Sequence, residues 1–142
     1  MTPAAAAPSR VVVDTDVLSF TFKGDTRRQL YRPHLARRGL FISFQTMAEL
    51  DAWALSHRWR QRRRDEMEEH LARRYTVVRY TRDLAPLWAF ATVEAERVGQ
   101  PIEAGDAWIA ATALLFRIPL VTHNPGDFAG VPGLMIITEQ RA

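Results

Sequence analysis

Val11-Val12-Val13-Asp14-Thr15-Asp16 decides how the rest of the chain is read. Three consecutive β-branched residues with no polar alternation mark a strand buried on both faces, which is the signature of a parallel sheet. The run stops at two aspartates separated by one residue, and Val17 to Phe22 then opens a predicted helix. Working outward, the same strand-then-helix grammar recurs. A basic amphipathic segment spans Arg27 to Arg38 and ends at Gly39. Leu40 to Ser43 reads as a second strand, and Thr46 starts a helix running towards His57. Arg58 to Arg74 is strongly charged and reads as an exposed helix or helix pair. Tyr75 to Tyr80 alternates like a strand. Leu84, Leu87, Trp88, Ala91, Ala95 and Val98 fall at helical spacing before Gly99. A further helix is expected over Gly105 to Arg117, strands over Leu120 to Thr122 and Leu134 to Ile137, and a turn at Asn124-Pro125-Gly126. Alternating strands and helices predict an α/β fold with a mostly parallel central sheet covered on both faces.

The chain has 142 residues, 47% hydrophobic and 25% charged, which suits one globular domain. We expect that domain over residues 10–142, with residues 1–9 as an alanine-rich flexible tail and not a signal peptide. The absence of cysteine excludes disulfides, thiolate zinc sites and cysteine nucleophiles, and agrees with a cytoplasmic setting. No apolar run approaches the roughly 20 residues of a membrane span. Net charge is only +3, but nearly all of the basic residues are arginines, Lys23 being the single lysine. Arginine forks suit phosphate; a GC-rich coding sequence gives the same composition, so charge permits a nucleic-acid partner without establishing one.

In α/β sheets, ligands bind beyond the carboxyl ends of the strands. Asp14 and Asp16 follow the first strand, and Asn124 and Asp127 follow the strand at Leu120. N-capping accounts for only one of Asp14 and Asp16. Asp106 lies three and four residues before Ile109 and Ala110, at the start of an apolar helix face, where an unpaired carboxylate is costly. Glu49 has a ready structural explanation, because Thr46-Met47-Ala48-Glu49 fits a capping box, yet it also lies one turn before Trp53 and can face inward. Carboxylates gathered in one cleft repel each other, and a hard divalent ion such as Mg²⁺ or Mn²⁺ relieves the repulsion while activating water at phosphate.

The quoted opening, together with Ile42-Ser43-x-x-Thr46-x-Ala48-Glu49-Leu50, Asp106-Ala-Trp-Ile109-Ala110-Ala111-Thr112-Ala113 and Leu120-Val121-Thr122-His123-Asn124-Pro-Gly-Asp127-Phe128, resembles the four motifs of PIN-domain proteins, and the VapC-like toxins in particular. Order and spacing match across nearly the whole chain. The resemblance implies a three-layer PIN-like fold and a Mg²⁺- or Mn²⁺-dependent endoribonuclease that cuts RNA as the toxin of a toxin–antitoxin pair. It further implies a VapB-like antitoxin and a homodimer. Carried over by motif, Asp14, Glu49 and Asp106 form the acidic core, Asp14 and Asp106 being the direct metal ligands. Asp127 completes the catalytic set, or a water held by Asn124 takes that place, since relatives often carry an acid where Asn124 stands. Asp16, Thr15, Ser43, Thr46 and Thr122 are supporting candidates, with capping the expected role of Thr46. Arg58, Trp59, Arg60, Arg62, Arg63 and Arg64 are candidate contacts to RNA or antitoxin, weighed against a solvated helix face carrying Arg62–Glu66 and Arg64–Glu68 pairs. A non-catalytic RNA-binding or scaffold protein is the alternative reading. A dehalogenase-like phosphatase, which shares the Asp-x-Asp opening, is discounted because it needs a lysine far downstream, whereas the single lysine, Lys23, lies seven residues after Asp16.

Overall fold

A computed structural model describes residues 8–140. The tail expected over residues 1–9 therefore lies outside the described residues except for Pro8 and Ser9, which are exposed. Five strands, β1 (Arg10–Val13), β2 (Gly39–Ser43), β3 (Tyr75–Val78), β4 (Leu120–Val121) and β5 (Ile136–Ile137), form one sheet in the order β3-β2-β1-β4-β5. Every pairing is parallel, with Val11 opposite Leu40, Val12 opposite Leu120 and Leu120 opposite Ile136. Six helices connect them: α1 (Thr15–Lys23), α2 (Arg28–Leu35), α3 (Phe44–Ser56), α4 (Gln61–Arg74), α5 (Leu84–Arg97) and α6 (Ala104–Phe116). No helix among the described residues is long and apolar enough to cross a membrane.

The period-two geometry of a strand explains why the valine run has no polar member. Val11 and Val13 pack with Leu18, Tyr31, Leu50 and Leu71 on one face, whereas Val12 packs with Ile109, Ala110, Ala113 and Phe128 on the other. All three valines are fully buried. Helices α1 to α4 cover the first face and α5 with α6 the second, giving the three layers expected from sequence. The chain moves outward from β1 through β2 to β3, then returns to place β4 on the opposite flank of β1. Strand order thus reverses between β1 and β4, and a crevice opens at the carboxyl ends of strands flanking such a reversal.

Three expectations need correction. The basic segment stops at Leu35, not at Gly39, because Gly39 already pairs with Arg10 in the sheet. Arg74 closes that helix end by donating to the Leu35 carbonyl at 2.9 Å, and Arg37 turns the chain with a left-handed φ of 61°. The next helix begins at Phe44, two residues before Thr46. Ser43 ends β2 in extended conformation and its hydroxyl accepts the Gln45 N–H at 3.0 Å, so strand passes to helix without a loop. Trp59, expected among the contacts to RNA or antitoxin, packs in the core. The residue is 8% exposed and its ring packs 4.9 Å from the Trp53 ring, with the Arg63 guanidinium 3.8 Å above it.

Candidate active site

Asp14 stands at the strand-order reversal, immediately after β1, and caps α1. Its Oδ1 accepts the Thr15 N–H at 2.8 Å and its Oδ2 accepts the Thr122 hydroxyl at 2.7 Å. Burial raises its pKa well above the ordinary carboxylate range, and the charges of Asp16 and Asp106 raise it further against the pull of those two hydrogen bonds. Asp16 lies two residues on, in the first turn of α1. Its Oδ1 accepts the Val17 N–H at 2.6 Å; its Oδ2 accepts both the His123 N–H at 3.0 Å and the Asn124 side-chain amide at 2.8 Å. Burial raises this pKa too. Asp16 and Asn124 therefore form a brace between α1 and the turn after β4.

Asp106 occupies the first turn of α6. Desolvation lifts its pKa to about 6, helped in turn by the charges of Asp127, Glu49, Glu103 and Asp16. Carboxylates from three distant segments therefore feel one another at Asp106, and Asp106 is itself felt at Asp14. Because Ser43 caps α3, Glu49 is the sixth residue of that helix and takes no part in a capping box. Its Oε1 accepts from the Gln45 side-chain amide at 3.1 Å and faces the first turn of α6. Asp127 sits in a short 3₁₀ turn (Pro125–Phe128) and is exposed. Among the supporting residues, the Thr15 hydroxyl donates to the Thr46 hydroxyl at 2.9 Å, tying α1 to α3; Thr46 is a fully buried strut, not a cap. Thr122 accepts the Asn124 N–H at 3.1 Å while holding Asp14. The structure thus brings Asp14, Asp16, Glu49, Asp106 and Asp127 to one end of the sheet.

Arg58 to Arg64 are not brought there. Helix α3 starts at the carboxyl end of β2 and carries the chain back along the sheet for about 20 Å before Arg58. Within this segment Arg62 pairs with Glu66 at 3.5 Å, but the expected Arg64–Glu68 pair is not among the ion pairs of the described residues. Arg64 instead turns inward, leaving its Nε buried without a partner. Two contributors were missed from sequence. Glu103, at the N-cap of α6, adds negative potential at Asp106; its signal was an acid three residues before another at a helix start. Gln45 holds Glu49, and its signal was the i,i+4 spacing of the two side chains on one helix.

The donor set is entirely carboxylate oxygen, and none of the ion pairs among the described residues involves Asp14, Asp16, Glu49, Asp106 or Asp127. Among the described residues no three His, Cys, Asp or Glu side chains are gathered tightly enough to grip an ion as they stand. The chemistry nonetheless fits a hard divalent cation, since clustered carboxylates that no basic side chain pairs, with Asp14 buried among them, are what such an ion neutralises.

Gly105 offers a probe of this arrangement. A Cβ there would meet Gln45 Nε2 at 2.8 Å and Glu49 Oε1 at 3.3 Å, both flexible side-chain ends. Gly105→Ala is expected to leave the melting temperature equal or slightly raised, since alanine is favoured over glycine in a helix by about 0.5–1 kcal/mol. Activity at the site should nevertheless fall about tenfold or more, because Glu49 is displaced. Unchanged activity in a folded variant would remove Glu49 from the site.

Comparison with known proteins gives a consistent answer. The PIN domain family model matches residues 11–134. A DNA-bound VapBC complex from Salmonella typhimurium is similar with a TM-score of 0.77 at 26% identity, over 91% of this chain and 97% of that one. VapBC-1 from nontypeable Haemophilus influenzae gives 0.73 at 25% identity, over 91% and 97%. VapBC2 from Rickettsia felis, bound to a DNA fragment from its promoter, gives 0.77 at 18% identity over 91% and 98%, a likeness of fold alone. No curated protein matches the sequence.

Proposed function

The chain belongs to the PIN domain family, and from that membership we propose that it is a Mg²⁺- or Mn²⁺-dependent endoribonuclease acting as the toxin of a toxin–antitoxin pair. The observation that carries the reading is the gathering of carboxylates from the start of α1 (Asp14, Asp16), α3 (Glu49), the first turn of α6 (Asp106) and the turn after β4 (Asp127) at the strand-order reversal, where burial and those neighbours raise Asp106 to about 6. A scaffold that only bound RNA would gain nothing from clustered negative charge beside phosphate.

Asp14 and Asp106 would hold the ion. When bound, such an ion supplies an acidified water and a counter-charge to phosphate oxygens during in-line displacement. The chain's own groups supply the remaining work. Thr15 N–H and the Thr122 hydroxyl fix the Asp14 carboxylate in one orientation. Glu49, steered by Gln45, and Asp127, on its exposed turn, would orient water and take up its proton. The products would be a 5′-phosphate and a 3′-hydroxyl, the P–O3′ bond breaking as the new P–O bond forms.

The similar VapBC structures support a VapB-like antitoxin as partner. A homodimer is proposed as well, and exposed Phe90 and Val93 on α5 provide apolar surface for one. Incubation of the purified protein with 5′-labelled RNA tests the activity. Cleavage is expected with Mg²⁺ or Mn²⁺ and loss of cleavage in excess chelator; equal cleavage in chelator would refute the metal requirement.

A further inference from the structure

We propose that Tyr31 and His123 act as a positioning pair that sets Asp14, and the Asp16 brace beside it, for cation binding at Asp14, an inference that deepens the preceding reading and depends on it. Tyr31 comes from α2, an element that contributes no carboxylate to the site, and its side chain is completely buried. A hydroxyl in that setting is costly unless it is partnered. Tyr31 satisfies it at a junction of three elements. The oxygen lies 2.5 Å from His123 Nδ1 and 3.5 Å from the Thr122 carbonyl, both in the turn after β4, and accepts the Glu139 N–H at 3.1 Å from the segment after β5. Glu139 is anchored in its turn, with Oε1 2.6 Å from His34 Nε2 on α2.

The two residues so clamped are the ones that grip the aspartates. Thr122 donates its hydroxyl to Asp14 Oδ2, and His123 donates its backbone N–H to Asp16 Oδ2. The His123 ring is wedged edge-on between the Phe20 ring, at 5.4 Å, and the Tyr31 ring, at 5.6 Å. Phe20 belongs to α1, the helix that Asp14 caps. One aromatic wedge and one hydroxyl therefore fix the 122–123 peptide relative to α1, and with it the orientation of the two carboxylates it holds. Loss of the hydroxyl leaves the ring packing intact but frees the peptide to turn. Groups that orient ligating side chains in this way commonly change metal affinity by about 10- to 100-fold when removed.

The test is Mn²⁺ binding to the full-length protein without RNA, followed by the loss of the free-ion electron paramagnetic resonance signal. Far-UV circular dichroism and melting accompany each variant. Tyr31→Phe and His123→Leu are expected to stay folded and to bind Mn²⁺ about tenfold or more weakly. His123→Asn should bind within about threefold of wild type, because a carboxamide offers either a donor or an acceptor close to the Nδ1 position. Rescue by Asn distinguishes positioning from general loosening of the fold, which Asn and Leu would share. Wild-type affinity in both Tyr31→Phe and His123→Leu would overturn this inference and leave the metal reading standing. Absence of Mn²⁺ binding by the wild type would overturn the metal reading, and this inference with it.

Discussion

Replacement of Asp106 by Asn is expected to abolish RNA cleavage and, at neutral pH, to raise the melting temperature of the metal-free protein. The two effects have one cause. Asp106 titrates at about 6 in the folded chain, raised first by desolvation and then by Asp127, Glu49, Glu103 and Asp16. An unfolded aspartate titrates near 3.9. Between those values the folded state holds a proton that the unfolded state has lost, so stability falls as pH rises through the window and the full penalty is present above it. Asn carries no charge and escapes the penalty. The gain over wild type should be on the order of a few degrees at pH 7.5 and should vanish by about pH 3, where the aspartate is protonated in both the folded and the unfolded state. Cleavage should fall about 10³-fold, equivalent to about 4 kcal/mol of lost transition-state stabilisation. Melting curves at the two pH values and single-turnover assays check both halves. A variant that loses stability at pH 7.5 would show that Asp106 has a structural role, and one that keeps its rate would place the ion elsewhere.

How much of this was legible in the sequence depends on the range of the interaction concerned. The sheet could be read because burial on both faces leaves its mark in consecutive residues, as in Val11 to Val13, and alternation across the two cores follows from geometry alone. Asp106 stood out as an acid on the apolar face of a helix, and the Asp14–Asp16 pair stood out because N-capping calls for only one of them, the role Asp14 takes in the structure. Local rules failed where two residues competed for one role. Ser43 and Thr46 can both cap a helix, and only the direct handover from β2 to α3 selects Ser43 and releases Glu49 from the capping box. Trp59 among five arginines has the composition of a solvated face; the ring is nevertheless buried because Trp53, one helical turn before His57, supplies a partner across the α3–α4 bend. Tyr31 and His123 are 92 residues apart in sequence, and nothing near either announces the other.

The second large effect concerns Asp14. Each of its carboxylate oxygens is already oriented by a donor, from Thr15 and from Thr122, while burial and the neighbouring aspartates raise its pKa. A cation supplied from solution would remove the repulsion between Asp14 and Asp106 at one stroke, and both side chains should matter to its affinity. Isothermal titration of Mn²⁺ into wild type, Asp14→Asn and Asp106→Asn at pH 7.5 measures this directly. The expected result is saturable binding to the wild type and a loss of affinity of about 100-fold or more in each single variant, since each removes a ligand and not merely its support. Binding of equal strength in all three proteins would contradict a shared ion between the end of β1 and the start of α6.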